Sequence, residues 1–200
     1  MKSIYIRRID IGVTFLIGML FIVTALCEYH VKFNHMYELT FLSNFITGGF
    51  MLFSDVLKCI GRKIPQVIYL DFTILLMIVF GVTTLFSAHF TLRGAMLYLH
   101  AVNPIVLLVY YFIFSNKTGT NIKAVFTTLI MPLVYLIFAV IFGNVTGKYI
   151  YFFLNYKWYG MEYTLSFICG IAVGTVALSF ILWILNRILH RLTGPKASKQ

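Results

Sequence analysis

The stretch Tyr37–Phe53, YELTFLSNFITGGFMLF, decides how this chain is read. It is apolar over most of its length, yet Thr40, Ser43, Asn44 and Thr47 recur at i, i+3, i+4 and i+7, the spacing of one helical face. Gly48 and Gly49 extend that face with small residues. In lipid such a face must turn toward other helices or a wet cavity, because hydrocarbon offers its polar groups no partner.

Composition supplies the lipid. The chain has 200 residues, 60% of them hydrophobic and only 11% charged, against about 25% charged in an average soluble domain. Its mean hydropathy is +0.91. Six apolar runs, at about 9–27, 38–57, 67–89, 97–115, 123–143 and 162–187, approach the ~20 helical residues that cross a bilayer core. The connections are short: EYHVKFNHMY, KCIGRKIPQ, TLRGA, SNKTGTN and the longer GNVTGKYIYFFLNYKWYG. They leave no room for a soluble domain, so residues 1–200 are expected to form a single all-α integral membrane domain, a bundle of six transmembrane helices. The opening MKSIYIRR and the run after it resemble a signal peptide, and VTALCEYH has the outline of a lipoprotein cleavage box. Leu26, however, stands where a small residue should precede Cys27, so the run is read as an uncleaved first helix.

Basic residues orient the bundle. Lys2, Arg7, Arg8, Lys58, Arg62, Lys63, Lys117, Lys123, Arg187, Arg191, Lys196 and Lys199 fall on one side, and Lys32, Arg93, Lys148 and Lys157 on the other, accounting for all 16. The rule that positive charge stays inside then places both termini in the cytoplasm. The net charge of +10 reflects this topology and contact with anionic headgroups. Scattered over short loops and tails, it is not a nucleic-acid-binding surface.

Cys27, Cys59 and Cys169 share no motif, and phosphate-loop, dinucleotide, zinc-protease and nucleophile-elbow signatures are lacking, so no metal or cofactor is expected. No internal repeat suggests a transporter's inverted halves. The six acids, Asp10, Glu28, Glu38, Asp55, Asp71 and Glu162, all lie near predicted span ends. A proton- or cation-coupled carrier would ordinarily hold one at mid-depth.

With both termini inside, the second and fourth spans run inward, and Thr40 and His100 each lie just within an outer end. The bland reading of the Thr40 stripe is helix packing, or capping by Thr40. His100, in LYLHAVNPIVLL, is a histidine inside a span and so a functional candidate. Asn103 lies three residues on, and Pro104 removes a backbone donor. Its bland reading is a histidine satisfied by a carbonyl or hydroxyl. His89 sits at the end of the third run, His30 and His35 in the first outer loop, and His190 in the basic tail. The aromatic loop at 149–159 reads mainly as an interfacial belt, and alternatively as a cover for a cavity mouth.

Three blocks, LTFLSN in the second span, LHAVNP in the fourth and VTGKYIYFFLN after the fifth, resemble the androgen-induced membrane hydrolases and their bacterial six-helix relatives. The resemblance covers roughly Tyr37 to Gly160 and is patchy between the blocks. It implies a threonine–histidine pair at Thr40 and His100 that cleaves lipid esters, and a bacterial plasma membrane as location. The segment between the pair is shorter than in animal members, and the asparagine spacing after the threonine differs. The chemistry is coherent: imidazole takes the hydroxyl proton, and a donor such as Ser43, Asn44 or Asn103 holds the oxyanion, with Thr47 further along the lining face. Glu28, Glu38 and Glu162 are candidates to orient His100. The expected partners are membrane lipids and a lipid-like ester. Two other classes stay open: a small-molecule carrier or channel lined by the stripe, and a scaffold that forms homo-oligomers through Gly170-x-x-x-Gly174. A haem between His89 and His100 is a distant further reading.

Overall fold

The computed structural model describes residues 2–85, 93–114 and 121–193. These residues are helical with short connections and contain no strand. Six helices are long and apolar enough to cross a membrane: Arg7–Tyr29, Leu39–Cys59, Gln66–Leu85, Ala95–Phe114, Ala124–Thr146 and Met161–Leu189. All six predicted runs are present, with shifted ends. The first helix, α1, extends over Lys2–Tyr29, because the polar residues at its start continue the helix rather than stop it. His89, at the predicted end of the third run, lies outside the described residues.

The chain divides into two compact units, Met1–Phe114 and Ser115–Gln200. The first unit holds α1, α2 (Leu39–Cys59) and α3 (Gln66–Leu85). Its fourth span is composite: a single turn α4 (Ala95–Leu97), a π-helical turn (Tyr98–Val102), and α5 (Asn103–Phe114).

The α1–α2 contact is the most extensive in this unit, and glycine makes it close. A Cβ added at Gly48 would stand 2.7 Å from Ile22 Cγ1 and 2.9 Å from the Gly18 carbonyl oxygen. One added at Gly18 would stand 2.8 Å from Leu52 Cδ2 and 3.0 Å from the Gly48 carbonyl oxygen. Two backbones touch because neither residue carries a side chain, the usual device of helix association in lipid. Gly49, one residue on, faces open space.

At the far end of α2 from Thr40, Lys58 is drawn into the unit. Its ammonium group donates to Asp10 Oδ1 at 2.9 Å, Thr14 Oγ1 at 2.8 Å and the Tyr110 hydroxyl at 2.8 Å, which uses all three protons. Tyr110 in turn donates to Asp10 Oδ1 at 2.8 Å, and the Tyr69 and Tyr110 rings flank the charge. Arg7 Nη2 donates to the Lys58 carbonyl and so caps the end of α2. Asp55 is buried nearby on the same helix, and neither of its carboxylate oxygens has a hydrogen-bond partner among the described residues.

The second unit contains α6 (Ala124–Thr127), α7 (Ile130–Thr146), α8 (Tyr156–Tyr159) and α9 (Met161–Thr193). The fifth span breaks at Thr128–Leu129 because Pro132 has no N–H to offer the carbonyl four residues back, and its ring crowds that carbonyl. Proline is tolerated here because it falls in the first turn of α7. The Thr128 and Ser179 hydroxyls meet at 2.8 Å, tying α9 to the break. Part of the aromatic loop packs inward. Phe153 and Leu154 are buried, and Phe153 stacks on Phe167 of α9 at 4.4 Å between ring centroids, while Trp158 remains exposed. Gly170 and Gly174 have nothing within 4 Å of a built Cβ.

Candidate functional site

All six sequence-predicted site residues lie in the first unit, and all are buried: Thr40, Ser43, Asn44 and Thr47 on α2, His100 in the π turn, and Asn103 at the start of α5. Thr40 is not the cap of α2. Glu38 occupies that position, so Thr40 lies within the first turn. Glu38 is engaged elsewhere, accepting from the Tyr29 hydroxyl at 2.7 Å through Oε2 and meeting His35 Nδ1 at 2.9 Å through Oε1. Glu28 pairs with Lys32 at 2.7 Å.

Asn44 is the hub of the buried network. Its amide nitrogen donates to the Thr40 carbonyl at 2.8 Å and to the Leu99 carbonyl at 3.3 Å, bridging the two sequence blocks LTFLSN and LHAVNP. Its Oδ1 accepts from Asn103 Nδ2 at 2.8 Å, and the same Asn103 nitrogen donates to Thr24 Oγ1 of α1 at 3.0 Å. Thr24 passes its own proton to the Leu20 carbonyl at 2.8 Å. Carbonyls can only accept, so the Asn44 amide orientation is fixed, and that of Asn103 follows from it. Both protons of each amide are thereby used. Two atoms of the network are left over: Thr47 Oγ1 and Asn103 Oδ1 have no partner among the described residues.

The π turn explains how one short segment serves three helices. The Asn103 N–H bonds to the Tyr98 carbonyl, five residues back. Pro104 follows directly. Its ring crowds the His100 carbonyl and it offers no proton to it, so the α-helical ladder cannot run through this point. The widened turn rotates the chain less per residue. His100 thus reaches α3, where its Nδ1 lies 2.6 Å from Thr83 Oγ1, while Asn103 reaches α1 and α2. Sequence spacing alone places His100 and Asn103 on nearby faces of one helix. The bulge separates them. Thr83 is the partner that sequence reading missed: of two adjacent threonines, Thr83 and Thr84, in an apolar helix, the sequence gives no sign of which one faces His100.

Among the described residues no group of three or more His, Cys, Asp or Glu side chains could hold a metal ion. Cys27, Cys59 and Cys169 are free and exposed. Comparison with known proteins finds no matching family model, no curated relative and no matching solved structure. Six apolar helices of spanning length are compatible with a multi-pass membrane protein, and the site stands on its own geometry.

Proposed function

We propose that the protein is a multi-pass membrane hydrolase of lipid esters, with Thr40 as nucleophile and His100 as general base, set near the outer leaflet of a plasma membrane with both termini cytoplasmic. One observation carries this reading: the Asn44 amide joins the Thr40 carbonyl to the Leu99 carbonyl, next to His100, in a fully buried layer. Polar groups are costly in such a layer unless bonded. Here they knit together the two blocks that resemble the androgen-induced hydrolases.

In this scheme His100 takes the Thr40 hydroxyl proton as Oγ1 bonds to the ester carbonyl carbon. The tetrahedral intermediate collapses, the ester C–O bond breaks, and His100 returns the proton to the departing alkoxide. Water, deprotonated by the same imidazole, then releases the acid and restores Thr40. Asn44 and Asn103 have no amide proton left for the oxyanion, so their role is to hold the helices in place. The donor nearest the nucleophile in sequence is Ser43, whose 3.3 Å bond to the Thr40 carbonyl is among the longest in the network. An interfacial site suits an amphiphilic ester, with its carbonyl near the headgroups and its chains in the apolar interior.

The test is activity-based labelling of purified protein with a serine/threonine-hydrolase probe, paired with lipid-ester hydrolysis. Thr40→Ala and His100→Ala each abolish both, and the double variant is no worse than either single, because the two act as one unit. Labelling that persists in Thr40→Ala rejects the nucleophile. A carrier is the second reading. It is favoured by the buried polar face of α2, which continues from Thr40 through Thr47 and Ser54 to Asp55. That reading requires solute flux in liposomes that depends on Ser43 and Thr47.

A further inference from the structure

The contact between Thr83 and His100 contains more than a distance. Thr83 Oγ1 lies 2.8 Å from the Val79 carbonyl oxygen, one turn back on α3, and 2.6 Å from His100 Nδ1. A hydroxyl has one proton. A carbonyl oxygen has none, so at 2.8 Å the Thr83 proton must lie between Oγ1 and Val79 O; otherwise two lone pairs would face each other. The remaining contact then needs its proton from the ring. His100 Nδ1 must carry it, and in the neutral imidazole the lone pair resides on Nε2. Both side chains are buried, so water does not compete for either contact.

We propose that Thr83 is a positioning residue that holds His100 as the Nδ1–H tautomer and makes Nε2 its basic nitrogen. Thr83 occupies the place that a carboxylate fills in the common nucleophile–histidine–acid arrangement, but does so without a charge. A neutral acceptor suits a histidine at this depth. It orients the ring and selects the tautomer without adding a buried anion that would need its own partner. The π turn makes the match possible, since it sends the ring toward α3 while Asn103 turns to α1 and α2. Thr84, next along α3, makes the same kind of bond to its own carbonyl, Phe80, and is exposed. It is the natural control. The role in catalysis rests on the hydrolase reading; the tautomer does not.

The experiment is nitrogen NMR of the imidazole in protein labelled at histidine and held in a membrane mimetic, with His100 assigned by the difference from His100→Gln. In the parent protein the unprotonated nitrogen is Nε2. Thr83→Ser keeps that signature, Thr84→Val keeps it, and Thr83→Val loses it to a mixture or to the other tautomer. In parallel, hydrolase-probe labelling slows in Thr83→Val by at least about 10-fold, a share of the ~10² or more that a general base contributes, and Thr83→Ser restores it. A dominant Nε2–H tautomer in the parent, or an unchanged signature in Thr83→Val, overturns the assignment. An altered tautomer with unaltered labelling overturns the positioning role. If the parent shows the Nδ1–H signature but never reacts with the probe, the hydrolase reading fails while the hydrogen-bond assignment stands.

Discussion

Gly48→Ala adds one methyl group where α1 and α2 meet, and its cost can be worked from the contacts. The new carbon would stand 2.7 Å from Ile22 Cγ1, 2.9 Å from the Gly18 carbonyl oxygen and 3.1 Å from the Ile22 backbone nitrogen. Ile22 Cγ1 can yield by rotation, but the other two atoms are backbone and move only if the helices separate. Overpacking of this kind costs about 1–3 kcal/mol. Alanine in place of helical glycine returns about 0.5–1 kcal/mol, so the middle of the two ranges leaves a net loss of about 1 kcal/mol. Gly49→Ala meets nothing within 4 Å and keeps only the gain. Adjacent glycines on one helix should therefore respond with opposite signs. Equilibrium unfolding in mixed detergent micelles, with unchanged denaturant slope as the check on comparability, reads the difference. A Gly48→Ala protein as stable as the parent, or a Gly49→Ala protein destabilised to the same extent as Gly48→Ala, would refute the close backbone contact.

Lys58→Met leaves Asp10 and Tyr110 without their cation. Both charged side chains are partly wetted, so a loss toward the lower end of about 3–5 kcal/mol is expected, and Asp10→Asn in the same chain recovers part of it. Additive losses in that double-mutant cycle would dissolve the cluster as an energetic unit. For topology, with Cys27, Cys59 and Cys169 replaced, a single cysteine at Lys32 reacts with an impermeant maleimide from outside the cell, whereas one at Lys63 reacts only after permeabilisation. The reverse pattern inverts the orientation.

How much of this was legible in the sequence depends on how local the cause is. Six spans could be counted because span length is a property of each apolar run alone. The α2 stripe could be read because period 3.6 places Thr40, Ser43, Asn44 and Thr47 on one face, and all four are buried. The difference between Gly48 and Gly49 could not, since only the opposing helix makes it. Pro104 warned of a break, but whether a helix answers by kinking or by widening is settled by what the freed side chains can reach. Asp10 and Lys58 looked like interfacial charges because 48 residues separate two groups that form one ion pair. The partition into two units has no marker in the short SNKTGTN connection.

The Lys58 cluster also bears on the order in which the chain is made. Its three acceptors come from α1 and α5, the first and fourth spans, while Lys58 itself ends the second. Synthesis delivers Asp10 and Thr14 first, then Lys58, and Tyr110 only after about fifty more residues have been added. For that interval the ammonium group has two protons satisfied and one open, at the margin of a half-built unit. The arrival of the fourth span closes it. The ion pair needs only α1 and α2, but the cluster around it is a latch that completes when Tyr110 arrives with the fourth span, and a chain arrested after α3 lacks that last bond.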